Sequence, residues 1–228
     1  MGEHVTFASD GDRAAGYLAL PPGGSGTAVV LIQEWWGLVP HIIDVADRLA
    51  AEGFVTLAPD LYRGESTTEP DEAGKHMMAL DVGRAARDIA GAAAYLTGLD
   101  ATTGSAVGTV GFCMGGGLAI WGAAVATQIR AMVGFYPAML REDWEPDWTR
   151  YAGTHVMLHL ADGDGGSSSE QIVNARDQLA ANGAEVRLFD YPGTEHAFFN
   201  DDRPEVYAAD ASATAWQRTI EFLRQHCV

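Results

Sequence analysis

The sequence predicts an α/β protein in which helices cover both faces of a mostly parallel central sheet. Apolar, β-rich runs alternate with helical patterns along most of the chain, as expected of successive strand–helix–strand units. One of these runs, "TAVVLIQE" at 27–34, is almost continuously apolar, which is typical of a strand buried on both faces. The chain has 228 residues and no long repeat, low-complexity tract or obvious linker. We therefore expect a single domain over residues 1–228.

The individual elements follow from the same patterns. We expect strands at 4–8, 14–21, 27–34, 54–61, 106–113, 131–137, 154–162 and 186–193. The first two flank the turn "SDGD" and predict a short N-terminal hairpin. Periodicity and terminal Pro or Gly residues predict helices at 40–53, 72–97, 114–127, 167–182 and 204–226. Functional residues in such sheets lie beyond the carboxyl ends of the strands.

Composition excludes several classes of partner. The chain has 31 acidic against 14 basic residues, a formal net charge of −17, which repels phosphate backbones and anionic membranes. The N-terminus lacks the basic and apolar regions of a signal peptide, and no apolar run approaches the ~20 residues of a membrane helix. Two cysteines in a chain of this size indicate reduced thiols. We expect a cytoplasmic monomer or homodimer that binds neither nucleic acid nor membrane.

The stretch "GFCMG" at 111–115 has the form of a nucleophile elbow. A strand there is predicted to turn sharply into a helix, and flanking glycines leave room for that turn. The helix N-terminus would direct backbone N–H groups at Cys113, and its dipole favours a thiolate. The alternative is a buried structural cysteine in a Gly-rich packing turn.

A base and an acid follow at later strand ends. His196 lies in the Pro/Gly turn "YPGTEHAF", where an imidazole has exposure and freedom, although an ordinary loop histidine fits as well. His155 and His159 lie within an apolar strand and are better explained as core or edge residues. Asp162 and Asp164 are both candidates to orient the imidazole.

The order of these candidates is cysteine, acid, histidine, which is the order of the α/β-hydrolase fold. In that fold the end of the first long strand supplies an oxyanion N–H, here at "QEWWG". Glu34 in this segment either faces the thiol, where it would repel a thiolate or take its proton, or points into solvent. No tetrahedral metal-ligand set is visible, so we expect neither a metal nor a cofactor.

The chain resembles the dienelactone hydrolase family over nearly its whole length. The resemblance rests on "QEWWGL" (33–38), "GFVTLAPDLYRG" (53–64), "VGFCMGGGLA" (110–119), "HLADGD" (159–164) and "YPGTEHAFFN" (191–200). It implies a triad of Cys113, His196 and Asp164, with Asp164 preferred to Asp162. It also implies that Glu34 holds the resting thiol until substrate displaces it.

From these residues we expect a thiol hydrolase of small lactones or activated esters that forms a thioester acyl-enzyme. The N–H groups of Met114 and Trp35 would hold the oxyanion, and Trp35 and Trp36 would form an aromatic pocket wall unless one packs in the core. Alternatives are a general carboxylesterase or thioesterase for a neutral substrate, and a non-catalytic redox-sensing or binding domain.

The sequence departs from the family at the position of a substrate-binding arginine, where it has Asn200. A second family arginine, after the "PDLY" segment, has no aligned match. This departure predicts a preference for substrates without a carboxylate. The alternative is that Lys75, Arg84 or Arg203 reaches the pocket from another loop.

Overall fold

The computed structural model describes residues 2–138 and 146–227, and eight strands of this part form one sheet. The strands are β1 (Glu3–Ser9), β2 (Asp12–Ala19), β3 (Gly26–Ile32), β4 (Phe54–Pro59), β5 (Thr102–Phe112), β6 (Ile129–Phe135), β7 (His155–Ala161) and β8 (Glu185–Tyr191). Their order across the sheet is β1-β2-β4-β3-β5-β6-β7-β8. Strand β2 pairs antiparallel with β1 on one side and with β4 on the other. All pairs among β3 to β8 are parallel. The predicted α/β-hydrolase architecture with an N-terminal hairpin is confirmed.

The described residues form seven α-helices: α1 (Pro40–Ala51), α2 (Pro70–Ala79), α3 (Val82–Thr97), α4 (Met114–Ile120), α5 (Gly122–Val125), α6 (Glu170–Ala181) and α7 (Ala209–His226). The predicted helix at 72–97 was wrong in being continuous. Leu80 is extended and buried, and the Asp81 side chain accepts a hydrogen bond from the Arg84 N–H, which starts a new helix. Likewise, the predicted helix 114–127 is divided at Trp121.

Successive side chains of the central strands point to opposite faces of the sheet and form two apolar layers, one on each face. In β3, Val30 and Ile32 join the layer under α3, α4 and α6, whereas Val29 and Leu31 join the layer under α1 and α7. Both faces of the sheet are therefore covered, as the apolar run at 27–34 predicts. In the described ranges, no helix is both long and apolar enough to cross a bilayer.

The parallel strands bring distant segments together at one edge of the sheet. Glu34 follows β3, Cys113 follows β5, Tyr136 follows β6, Asp164 follows β7 and His196 follows β8. Since parallel strands end at a common edge, this is where a site can be assembled.

Candidate active site

Cys113 lies at a sharp turn between β5 and α4, with φ 54° and ψ −118°. A non-glycine residue rarely adopts positive φ, and such strain is found mainly where the surroundings fix it for function. The Cys113 N–H donates to the Phe135 carbonyl at 3.0 Å, and the Cys113 carbonyl accepts from the N–H groups of Gly116 and Ala138, both at 2.9 Å. These bonds hold the residue in its unusual conformation.

The glycines on either side of Cys113 are required by close backbone approach. A Cβ at Gly111 would collide with the backbone of Gly115, and a Cβ at Gly115 would collide with the carbonyl oxygens of Ile32 and Gln33. The first turn of α4 thus packs directly on the end of β3. This contact brings the Glu34–Trp35 segment beside the start of the helix.

The candidate base and acid are in contact. His196 Nδ1 is 2.7 Å from Asp164 Oδ2, and the two side chains are 38% and 39% exposed. Asp162, the other acid that the sequence left open, accepts a hydrogen bond from the Gly193 N–H at 3.0 Å. Asp162 therefore fixes the loop that carries His196, whereas Asp164 contacts the imidazole itself.

His196 is also coupled to the cysteine. Burial acts to lower the pKa of His196, but hydrogen bonds and negative charge from Asp164 and Cys113 outweigh it and raise the pKa to about 10. The Tyr136 ring meets the imidazole edge-on, with 5.0 Å between the ring centroids. The arrangement therefore favours the imidazolium form of His196.

This coupling predicts a titration that can be measured. We expect the imidazole protons of His196 to titrate by NMR near pH 10, and Cys113→Ala to lower that midpoint. Because the pKa of His196 is raised by folding, the pairing stabilises the fold fully below its unfolded pKa of about 6.5 and is lost as the pH rises through about 10. His159 provides an internal contrast, since burial lowers its pKa to about 3. A His196 midpoint at the unperturbed value of about 6.5 would contradict the coupling.

Glu34 is buried within the site, with 1% of its surface exposed. The alternative that it points into solvent is therefore wrong. The Tyr136 hydroxyl donates to Oε1 at 3.4 Å, and the Asn200 amide donates to Oε2 at 3.1 Å. Burial raises the pKa of Glu34 despite the opposing influence of nearby positive charges, His41 foremost, and of the Asn200 hydrogen bond.

Asn200, predicted as a substrate-binding residue, lies against Glu34 and is 3% exposed. Its side-chain oxygen accepts a hydrogen bond from the Asp202 N–H at 3.1 Å, so both ends of the amide are in use. A direct contact of Asn200 with substrate stays a prediction, while its contact with Glu34 is a property of the structure that sequence reasoning missed.

Trp35 and Trp36 are half-buried at the end of β3, with their rings edge-to-face at 4.8 Å. Neither side chain is fully enclosed, and neither lines the cavity beside His196, so their place in a pocket wall stays a prediction. Met114 is the first residue of α4, and its N–H belongs to the group of donors without intrahelical partners. The Tyr62 hydroxyl donates to Met114 Sδ at 3.3 Å.

Tyr62 and Tyr136 flank Cys113, and the sequence analysis singled out neither. Burial raises the pKa of both phenols; Cys113 raises that of Tyr62 further, and Glu34, followed by Cys113, raises that of Tyr136 further. Tyr136 has φ 35°, a second strained backbone beside Cys113. Its position directly after β6 is the signal that could have identified it.

A cavity of about 240 Å³ adjoins Asp164 and His196. Its walls include Pro137, Leu160 and Ile172. The cavity is partly polar and partly apolar, and its volume fits a small molecule. Among residues 2–138 and 146–227, no group of three or more His, Cys, Asp or Glu side chains is arranged to hold a metal ion.

Comparison with known proteins gives a consistent picture at the level of sequence. Residues 14–227 match the model of the dienelactone hydrolase family. A protein named usf from Aquifex pyrophilus is 33% identical over 99% of this chain and 99% of its own length. A protein from a Synechocystis strain, provisionally named a carboxymethylenebutenolidase, is 33% identical over 96% of this chain and 95% of its own. A Bradyrhizobium protein, provisionally named a 2-oxo-3-(5-oxofuran-2-ylidene)propanoate lactonase, is 30% identical over 97% and 93%.

The fold is shared with solved structures. A Klebsiella pneumoniae protein, provisionally described as a dienelactone hydrolase, superposes with a TM-score of 0.84 at 24% identity over 99% of this chain and 98% of its own. A dienelactone hydrolase from Anabaena variabilis superposes with a TM-score of 0.67 at 20% identity over 100% and 99%. At these identities the likeness extends to the fold alone.

Proposed function

The chain belongs to the dienelactone hydrolase family and is a hydrolase of ester or lactone bonds, and from this premise we propose that Cys113, His196 and Asp164 carry out the reaction. The observation that carries the proposal is the contact of His196 Nδ1 with Asp164 Oδ2 at 2.7 Å. The influence of Cys113 on the pKa of His196 supports it, since it implies that the cysteine lies near the imidazole. A nucleophile, a base and an orienting acid are the parts that covalent hydrolysis needs.

In the first half of the reaction, the Cys113 thiolate attacks the carbonyl carbon of the substrate. A carbon–sulfur bond forms, the ring or ester carbon–oxygen bond breaks, and the departing oxygen takes the proton of the His196 imidazolium. The product is a thioester between the acyl group and Cys113. A thiolate is both a good nucleophile and a good leaving group, which favours lactones, enol esters and thioesters over peptides.

In the second half, neutral His196 removes a proton from water, and the resulting hydroxide attacks the thioester. The carbon–sulfur bond breaks, the acid product leaves, and the thiolate–imidazolium pair is restored. Asp164 keeps the imidazole in one orientation and tautomer through both halves.

The developing oxyanion would be held by the backbone N–H groups of Met114 and Trp35. Their proximity is supported by the close approach of Gly115 to the carbonyl oxygen of Gln33, two residues before Trp35. Preorganised donors of this kind contribute about 3–4 kcal/mol each to transition-state stabilisation.

Glu34 is proposed to hold the resting thiol of Cys113 until substrate displaces the carboxylate, and then to take the thiol proton. The proton moves from Cys113 Sγ to a Glu34 carboxylate oxygen, leaving a thiolate and a neutral carboxylic acid. Burial of Glu34 favours its neutral form, and the Tyr136 hydroxyl and Asn200 amide fix its position. Because burial raises its pKa, Glu34 can keep a proton at a pH at which an exposed carboxyl group would be ionised.

We propose that the substrate is a small lactone or activated ester without a carboxylate. The lactone named for the Bradyrhizobium relative is an oxo-acid, but in this chain the Asn200 amide is already bonded to Glu34 and offers no cation. The half-buried rings of Trp35 and Trp36 favour a flat, uncharged ring. The same observations favour a general carboxylesterase or thioesterase as the second candidate function.

Substrate preference tests the proposal. We expect kcat/KM for a neutral lactone or ester to exceed that for its carboxylate analogue by about tenfold, because the anion lacks a charge-assisted partner worth about 1.5–3 kcal/mol. The measurement is side-by-side kinetics on matched pairs of lactones and esters, and failure to hydrolyse any of them would contradict the proposed function.

A preference for the carboxylate form would overturn the assignment of a substrate without a carboxylate, but it would leave the proposed catalytic roles standing. Arg84 is then the residue to replace, because its Nε is buried and has no hydrogen-bond partner in the described part of the chain. Arg84→Met would remove the preference if this arginine supplies the anion site.

A further inference from the structure

A second cavity lies at the opposite end of the sheet from the candidate active site. Its volume is about 530 Å³, and it lies where β6 and β7 begin and where α7 ends. Its walls include Thr127, Gln128, Arg130, Gly153, His155 and His226. A cavity of this size can hold a metabolite-sized molecule. The reaction described above uses none of these residues.

The charge of this lining is opposite to that of the chain. The protein has 31 acidic against 14 basic residues, yet the described residues that line the cavity are Arg130, His155, His226 and neutral residues, with no acidic residue among them. On a surface of net charge −17, a local group of basic and hydrogen-bonding side chains without a carboxylate is a feature that attracts an anion.

Arg130 has no protein partner for its guanidinium. Neither an ion pair nor a side-chain hydrogen bond joins it to any residue of 2–138 or 146–227. A Cβ built on Gly153 would lie 3.6 Å from Arg130 Nη2, which places the guanidinium beside the turn that precedes β7. The side chains of Thr127 and Gln128, on the same cavity wall, likewise make no hydrogen bond within these residues. All three side chains can therefore donate to a ligand.

The two histidines of the lining are stacked on each other. The ring centroids of His155 and His226 are 3.7 Å apart, and the ring planes are inclined by 23°. Nε2 of His226 is buried and has no hydrogen-bond partner in the described part of the chain. A buried polar atom without a protein partner is a place where a water or an ion is expected.

The nearest carboxylate to the histidines is already paired. Glu185 Oε2 is 3.2 Å from His155 Nδ1, and Glu185 Oε1 is 2.8 Å from Arg187 Nη2. Burial lowers the pKa of His226, and the positive charges of His155 and Arg187 lower it further, against a smaller opposing influence of Glu185. Positive charge therefore outweighs negative charge at this ring, and Glu185 leaves Arg130 without a counter-ion.

We propose that this cavity is a binding site for a small oxyanion, the phosphate or carboxylate group of a metabolite-sized ligand, with Arg130 as its counter-charge. The planar guanidinium presents N–H donors in a geometry that matches either group. Thr127 and Gln128 supply further donors, and the stacked imidazoles complete the wall. The site lies away from Cys113, so this inference does not rest on the proposed function.

The test uses sulfate, phosphate and acetate as probes of the intact protein, with the NMR signals of the histidine rings as the readout. Each salt is titrated at one fixed pH against sodium chloride of equal ionic strength. We expect saturable shifts in the signals of His155 and His226. Sulfate should also raise the titration midpoints of these imidazoles, because a neighbouring anion favours their charged form. His159 should not respond, since both of its ring nitrogens are bonded to buried hydroxyl groups, and its unchanged signal reports an intact fold.

Arg130→Gln removes the counter-charge and should weaken oxyanion binding by at least about tenfold. Arg130 is exposed, so this change should leave the fold intact. Arg176→Gln is the matched control, because it removes the same charge from α6, where Arg176 pairs with Asp177 outside the cavity lining. It should leave the affinity unchanged.

The outcomes decide between a site and general screening of surface charge. Saturation by phosphate or by acetate that is lost in Arg130→Gln alone would sustain the proposal, and the order of the two affinities would identify the class of ligand group. Shifts that sodium chloride reproduces would overturn it. Equal weakening in Arg130→Gln and Arg176→Gln would overturn it as well, because the protein would then respond to net charge rather than to this cavity.

Discussion

Cys113→Ala is expected to abolish ester and lactone hydrolysis while leaving the fold intact. The variant keeps the N–H to the Phe135 carbonyl and the close contacts of the turn, because these involve only the backbone of residue 113. It removes the atom that would form the acyl-enzyme, and loss of a triad nucleophile costs up to about 10⁶ in kcat. We expect a loss of at least about 10³-fold in hydrolysis of 4-nitrophenyl acetate and of the neutral lactone.

Cys227 is the matched control for this experiment. It is the other free cysteine, it is buried at the end of α7, and burial raises its pKa to about 12. Cys227→Ser should therefore retain both activity and sensitivity to iodoacetamide. In the wild-type protein, turnover of 4-nitrophenyl acetate should place one acetyl group on Cys113. Acid quench during turnover should trap this group on the peptide that contains Cys113. Hydrolysis that survives in Cys113→Ala, or an acetyl group found elsewhere, would mean that another residue is the nucleophile.

Local sequence signals predicted much of the arrangement around Cys113. The glycines of "GFCMG" predicted a sharp strand-to-helix turn, and the backbone of Cys113 at φ 54° has the strain that such a turn requires. The alternation of apolar strands and helical segments predicted a mostly parallel sheet, and hence that residues following different strands would meet at one edge. These features depend on spacing within short segments, which a single sequence displays directly.

The partners of Glu34 could not be predicted in the same way. Tyr136 and Asn200 are 102 and 166 residues away along the chain, and no local pattern links either to Glu34. His41 has the appearance of an ordinary helical residue, because its partner Asp201 is brought to it by the fold from a distant loop. The break between α2 and α3 was missed for a different reason. Apolar residues recur at helical spacing on both sides of Leu80 and through it, but the backbone of Leu80 is extended.

The choice between Asp162 and Asp164 was also beyond the residue pattern alone, since both acids lie in the same short loop. Sequence resemblance favoured Asp164, and in the structure it is the Asp164 carboxylate that contacts His196. Asp162 has a different contact, with the N–H of Gly193. The two acids are therefore expected to differ in function although they are separated by a single residue.

Asp164→Asn should reduce kcat by about 10²–10⁴-fold, because a neutral amide neither stabilises the imidazolium nor holds a single tautomer. Asp162→Asn should reduce it by less than about tenfold, since the amide oxygen can still accept the hydrogen bond from Gly193 and keep the loop in place. The measurement is kcat for both variants on one neutral substrate. It is paired with NMR titration of His196, whose raised pKa depends in part on Asp164 and should fall only in Asp164→Asn. Equal losses of kcat in the two variants, or a larger loss at Asp162, would contradict the assignment of Asp164 as the orienting acid.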